Sequence, residues 1–111
     1  MAKLPQNARY FFRYAQRAVE ILVTYPGDIK ERLIFAGEEL LHIHPNALPD
    51  QLKTQYEAII SYLTEFKADP NSTWEFNTDI RVTMRKRRSK TAVRAAAQLW
   101  SFYLEYETLT R

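Results

Sequence analysis

The chain of 111 residues has no cysteine and only two glycines, Gly27 and Gly37. Without cysteine it can form no disulfide, thiolate metal site or thiol nucleophile. Two isolated glycines also exclude a glycine-rich loop that would cradle phosphates. The lack of cysteine favours a cytoplasmic location, because disulfides belong to oxidising compartments.

Long hydrophobic runs are also missing. No apolar stretch approaches the ~18 residues that a membrane-spanning helix needs. The N-terminal residues MAKLPQNARYFFRYAQR lack the apolar centre of a signal peptide. No segment alternates polar and apolar residues as a half-buried strand does. These absences predict an all-α protein without a membrane partner, and the length fits a single helical-bundle domain over residues 1–111.

Apolar residues recur at helical spacing in four segments. The predicted helices cover Gln6–Thr24, 29 to about 43, 49 to about 66, and 80–111. Proline, glycine and capping residues mark the connections between them. Because the connections are short, neighbouring helices should be antiparallel. The pattern predicts an up-down four-helix bundle with a long C-terminal helix.

Two signals mark the start of the second helix and its packing. Asp28 has Glu31 three residues on, which resembles a capping box. Gly37 interrupts a helical segment, where it costs about 1 kcal/mol relative to alanine, so another helix is expected to cross close to it. The predicted core residues are Phe11, Ala15, Ala18, Leu22, Tyr25, Ile29, Leu33, Ala36, Leu40, Ile43, Leu52, Tyr56, Ile59, Ile60, Leu63, Phe66, Ile80, Met84, Thr91, Ala95, Leu99, Phe102 and Tyr106.

Two aromatic residues follow the loop that separates the third helix from the fourth. Trp74 and Phe76 are expected to cover the open end of the bundle, since large aromatic side chains mostly bury. An aromatic contact for a partner is the alternative. Asn77 or Thr78 is the expected cap of the last helix.

The distribution of charge is the most unusual feature. Residues 31–79 hold three basic and nine acidic side chains, whereas residues 80–94 hold seven basic side chains and no acid. The candidate partner-binding residues are therefore Arg81, Arg85, Lys86, Arg87, Arg88, Lys90 and Arg94.

This basic segment has three interpretations. It can be a solvated face that balances the acidic middle of the chain. It can contact an anionic partner, either an acidic protein surface or nucleic acid phosphates. It can also meet an acidic face in a homo-oligomer. No helix-turn-helix is present, and the cations spread around the predicted helix, so any nucleic acid contact should be phosphate-led and weakly specific.

The course of the chain near Ser89 decides where these arginines point. No glycine or proline lies between 80 and 111, which favours one unbroken helix. In that helix Arg88 would continue the core face. With Arg81 or Arg85 beside it, Arg88 should then pair with Glu20, Glu31 or Glu65 in a partly buried site. The alternative is a break near Ser89 that turns the arginines outward.

Little in the sequence indicates catalysis. The spacing of His42 and His44 directs them to different sides of a helix, although an unwound helix end before Pro45 could bring them together. A metal site would also need Glu38 or Glu39. No strand-turn-helix elbow presents a serine nucleophile. We expect a small non-enzymatic binding or regulatory protein, without cofactor, metal or evident small-molecule substrate. The alternative is a self-associating helical bundle that acts as a structural protein.

Three short segments carry a resemblance to other proteins: PGDIKERL (26–33), LP (48–49) and RSKT (88–91). At these distances they resemble a group of small bacterial helical proteins that read T-G-E-G-D-x-R-x-R-L and R-N-K-T. The present chain departs from that pattern at Tyr25, Pro26 and Ser89. The resemblance covers about residues 15–106 and implies a bacterial origin. It implies no catalytic residue, because no activity is assigned to the group.

Overall fold

A computed structural model describes residues 4–71 and 78–111, and over these ranges the chain is all-helical. Helices cover 76% of the described residues, and no strand is present among them. The all-helical prediction is therefore confirmed. The helices are α1 (Gln6–Thr24), α2 (Ile29–Leu40), α3 (Asp50–Leu63), α4 (Asp79–Lys86) and α5 (Ser89–Thr110), with a 3-10 turn at Pro45–Ala47.

The local signals at the first connection act as predicted. The bounds of α1 match the prediction, and Gly27 adopts a φ of 105°, which favours glycine. The Asp28 carboxylate accepts a hydrogen bond of 2.9 Å from the Glu31 amide and so caps α2.

The start of α4 is capped in the same way, because the Thr78 hydroxyl accepts a hydrogen bond of 3.3 Å from the Arg81 amide. Asn77, Trp74 and Phe76 lie outside the described residues.

The end of α2 differs from the prediction, and a tyrosine from α3 binds carbonyls at and just after this end. The helix ends at Leu40 instead of near Ile43. The Tyr56 hydroxyl donates to the carbonyl oxygens of Leu40 at 2.8 Å and Ile43 at 3.0 Å. Burial raises the pKa of Tyr56 to about 12, since its charged form would lose hydration. This hydroxyl therefore has a structural role at a helix end.

The core lies where α5 packs against α1, α2 and α3, and α4 packs against α2 and α3. Most of the predicted core residues are buried and Tyr25 is exposed, whereas six are only half-buried: Phe11, Leu22, Ile29, Ile60, Phe66 and Thr91. Thr83 is fully buried although it is polar. Its hydroxyl accepts from the Phe66 amide at 2.9 Å and donates to the Phe66 carbonyl at 3.1 Å. This pair of bonds attaches α4 to the chain that leaves α3.

The predicted close crossing at Gly37 is confirmed. A Cβ atom placed there would lie 3.0 Å from Leu63 Cδ1 and 3.1 Å from Ile80 Cδ1. Any side chain at this position would therefore press on α3 and α4. Among the described helices, none has the length and hydropathy needed to cross a bilayer.

Candidate functional site at the basic helix junction

The preferred prediction of one helix over residues 80–111 is wrong, and the competing prediction of a break near Ser89 is confirmed. Arg87 and Arg88 are both extended, with φ and ψ of −91° and 149° and of −83° and 150°. They separate α4 from α5. The Lys30 ammonium, from the start of α2, donates to the Arg87 carbonyl at 2.9 Å. This bond satisfies a carbonyl that an unbroken helix would have paired internally.

The Arg87 side chain turns inward at this break. Its guanidinium carbon lies 4.3 Å from the centre of the Tyr62 ring and 5.4 Å from that of Phe66. Nη2 donates to the Tyr62 carbonyl at 3.2 Å and to the Glu65 carboxylate. Only 20% of the side chain is exposed. Arg87 therefore connects the α4–α5 junction to the end of α3 and presents little charge to a partner.

The predicted inward position of Arg88 is wrong. Arg88 is exposed, and Glu65, one of its three predicted partners, pairs with Arg87 instead. The prediction assumed that side-chain directions continue at 100° per residue from Ile80. Two extended residues interrupt this regular rotation, so the prediction assigned the wrong arginine to the core face. A partly buried arginine–glutamate pair does exist, one residue earlier in the chain.

Three further basic residues of the segment make contacts within the fold. Arg81 is half-buried, forms an ion pair of 3.3 Å with Glu38, and lies 5.5 Å above the Phe35 ring. The Lys86 ammonium lies 4.8 Å from the centre of the Phe66 ring. Arg85 is exposed and its Nε donates weakly, at 3.4 Å, to the Arg81 carbonyl. These contacts direct part of the basic segment toward intramolecular partners.

The remaining cations lie at the N-terminal half of α5. We call Arg88, Lys90 and Arg94 the α5 basic cluster. All three are exposed, and within residues 4–71 and 78–111 none of their side chains forms an ion pair. The first turn of α5 contains no acidic residue, and Arg88 gives no side-chain cap. Cations at this end oppose the helix dipole, so the arrangement does not favour helix stability.

The histidines contact aromatic rings of α1. The rings of His42 and Tyr14 are stacked with centroids 5.0 Å apart, and His44 meets Phe11 edge-on at 5.0 Å. These contacts direct both imidazoles toward α1. No group of three potential metal ligands occurs in the described part of the chain.

A surface cleft of about 640 Å³ is lined by residues of α2, α3 and α4. Its charged groups make structural contacts. Glu38 pairs with Arg81, and Asp79 pairs with Lys67 at 3.4 Å while accepting from the Ala68 amide at 2.8 Å. The carboxylates of the cleft are therefore paired within the fold, whereas a ligand site typically presents convergent polar groups that are free to bind.

Comparison with known proteins adds no assignment, since no protein-family profile, curated protein or solved structure matches the chain. The candidate site therefore rests on its own geometry. Lys30 and Tyr62 help to hold the junction, and neither was among the residues predicted from the sequence. Neither has a local signal, because both act on Arg87 from distant parts of the chain.

Proposed function

We propose that the protein is a small non-enzymatic binding protein that contacts an anionic partner through the α5 basic cluster. The observation that carries this proposal is the exposure of Arg88, Lys90 and Arg94, whose side chains form no ion pair with any residue that the structure describes. Other cations of the basic segment, Arg81 and Arg87, have carboxylate partners within the fold. The proposed setting is the bacterial cytoplasm, as expected from the lack of cysteine and the resemblance described above.

Nucleic acid phosphates are the anionic groups that this cluster suits best. The cations sit on and beside the exposed N-terminal half of α5, and none of them lines the cleft described above. Phosphate contacts need only exposed charge at suitable spacing, whereas reading bases needs side chains concentrated in a groove. An acidic protein surface is the other anionic class, and the experiment below separates it.

The proposal also includes the arrangement of the helices. We propose that α1, α2, α3 and α5 form an up-down four-helix bundle in a single domain, with α4 as a separate first part of the predicted fourth helix. The packing of α5 against the other three long helices supports this arrangement.

Fluorescence anisotropy with a labelled DNA duplex tests the phosphate contacts. Binding should weaken log-linearly with salt, and each of Arg88→Ala and Arg94→Ala should reduce the magnitude of the slope by roughly 0.9. Arg9→Ala is the matched control, because Arg9 is an exposed cation at the opposite end of the molecule, next to Ala8, which contacts Tyr106 of α5.

Two results would overturn this proposal. One is the absence of duplex binding at low ionic strength, which would leave an acidic protein surface as the only anionic class. The other is an equal change of slope in Arg9→Ala, because the binding would then depend on net charge alone.

A further inference from the structure

The outer face of α5 carries an apolar stripe. Val93, Trp100 and Leu104 are 56%, 48% and 41% exposed, and Ala97 is also exposed. Their positions follow the spacing of four, three and four residues that defines the seam of a coiled coil. The opposite face of the same helix is buried through Ala92, Ala95, Leu99, Phe102 and Tyr106. One helix therefore has an apolar face toward the core and a second apolar face toward solvent.

Charged residues of opposite sign extend this stripe at its two ends. Lys90 lies three residues before Val93, and Glu107 lies three residues after Leu104. We call the six positions Lys90, Val93, Ala97, Trp100, Leu104 and Glu107 the α5 seam. Counted from either end, the seam shows the same spacing of three and four residues. Its basic end and its acidic end are therefore equivalent in position and opposite in charge.

We propose that the α5 seam binds the seam of a second copy of this chain in an antiparallel orientation. In this pairing Lys90 lies beside the partner's Glu107, Val93 beside the partner's Leu104, and Ala97 beside the partner's Trp100. Both ends of the seam gain an ion pair, because a two-fold axis repeats each contact. The small Ala97 leaves room for the large indole opposite it.

The parallel orientation lacks this complementarity. It would place Lys90 beside the partner's Lys90 and Trp100 beside the partner's Trp100. The facing lysines would repel each other. The two facing indole rings would hold the helices apart and leave a gap where Ala97 faces the partner's Ala97. The charges and the side-chain sizes therefore select the same orientation.

The acidic end already has an intramolecular contact that the pairing can keep. In the isolated chain the half-buried Glu107 carboxylate pairs with the exposed Arg111, one turn later at the end of the helix. A carboxylate has two oxygens and accepts several hydrogen bonds, so it can bind Arg111 and the partner's Lys90 together. Such an exposed pair within one helix also contributes little to stability and is easily rearranged.

The size of the seam indicates the strength of the dimer. Its six positions span 18 residues, and the first lies about 26 Å along the helix from the last. One helix pair of this length buries an area at the low end of specific protein interfaces. The dimer should therefore form reversibly with concentration. The dimer contact uses the apolar stripe, Lys90 and Glu107. Arg88 and Arg94 lie outside it, because Arg88 precedes α5 and Arg94 lies about 90° around the helix axis from the centre of the seam.

Charge reversal with rescue is the first test, with the dimer dissociation constant measured by sedimentation equilibrium up to millimolar protein. Lys90→Glu and Glu107→Lys should each weaken the dimer about tenfold, since each creates two like-charge contacts per dimer. The double variant should restore the dissociation constant of the original protein. Glu57→Lys is the control, because Glu57 is exposed on α3 and its reversal changes the net charge equally.

Cross-linking tests the orientation, and the absence of native cysteine makes the result simple to interpret. A Val93→Cys protein mixed with a Leu104→Cys protein should give a disulfide-linked heterodimer under mild oxidation. Either variant alone should cross-link far less. Circular dichroism and urea unfolding of each variant establish that it remains folded.

Three results would overturn the proposal: a monomer at every concentration, charge reversals that weaken the dimer no more than Glu57→Lys does, or efficient cross-linking of Val93→Cys with itself. None of these results bears on duplex binding by Arg88 and Arg94. The dimer experiments and the duplex-binding experiment therefore distinguish a failure of this proposal from a failure of the proposed function.

Discussion

Replacing Arg87 by methionine removes the guanidinium from the α4–α5 junction and keeps an apolar stem against Tyr62 and Phe66. The variant loses the hydrogen bond of 3.2 Å to the Tyr62 carbonyl, the ion pair with Glu65 and the contact 4.3 Å above the Tyr62 ring. A hydrogen bond from a charged group contributes about 1.5–3 kcal/mol. A cation–π contact contributes roughly 0.5–2 kcal/mol.

Two features of the site reduce the expected loss. The Glu65 side chain is 55% exposed, so water can hydrate its carboxylate once the arginine is gone. The Arg87 Nε is buried without a partner in the described residues, and its removal relieves a desolvation cost of about 1 kcal/mol or more. We therefore expect Arg87→Met to lower the free energy of unfolding by about 2 kcal/mol, which is less than a fully buried ion pair would cost.

Urea unfolding followed by far-ultraviolet circular dichroism measures this loss. Arg88→Met is the matched control, because it makes the same substitution one residue later at an exposed site. Its effect should stay within about 0.5 kcal/mol. The reasoning is refuted if Arg87→Met also stays within that range, or if Arg88→Met is at least as destabilising as Arg87→Met.

Three other substitutions test the packing, each by urea unfolding. Asp28→Ala should cost about 1 kcal/mol through loss of the α2 cap, whereas an equal stability of the two proteins would contradict the capping bond. Gly37→Ala should lower the free energy of unfolding by about 1 kcal/mol, because overpacking against Leu63 and Ile80 outweighs the gain in helix propensity. A variant more stable than the original protein would mean that these two side chains move aside. Tyr56→Phe should cost about 1–2 kcal/mol by removing two hydrogen bonds. Burial raises the pKa of Tyr56 in the folded protein to about 12. The contribution of the tyrosine to the free energy of unfolding is therefore present below pH ~10 and is lost as the pH rises toward 12. Over that window Tyr56→Phe should lose less stability than the original protein does.

Signals that lie within a few residues of one another predicted much of the fold. The bounds of α1, the cap at Asp28 and the cap at Thr78 follow from helical periodicity and from side chains that bond the adjacent backbone. Gly37 also gave a correct prediction, because a glycine inside a helix usually has a packing reason.

The break at Arg87 could not be predicted with the same assurance, because nothing at the break itself forbids a helix. The contacts that hold it come from Tyr62, Glu65 and Lys30, which are 25, 22 and 57 residues away in the chain. Tertiary contacts of this kind override local helix propensity. The error then passed to Arg88, since its predicted burial depended on an uninterrupted helical phase.

The two apolar faces of α5 show a second limit of sequence patterns. The spacing of Val93, Ala97, Trp100 and Leu104 is visible in the sequence, but so is the spacing of the buried residues on the opposite face. Periodicity alone cannot say which stripe faces the core when both are apolar. The exposure of the first stripe shows that the opposite stripe forms the core, and it leaves the first stripe available for the proposed contact.

Lys90 connects the two surfaces proposed for α5. It belongs to the basic cluster proposed to contact phosphates and to the seam proposed to bind a second copy. A partner's Glu107 beside Lys90 would neutralise one of the three cluster cations and leave Arg88 and Arg94 exposed. Phosphate binding and self-association should therefore oppose each other, and by linkage the effect is reciprocal. A DNA duplex should then raise the dissociation constant of the dimer, whereas Lys90→Ala, which removes the shared group, should make that constant less sensitive to the duplex.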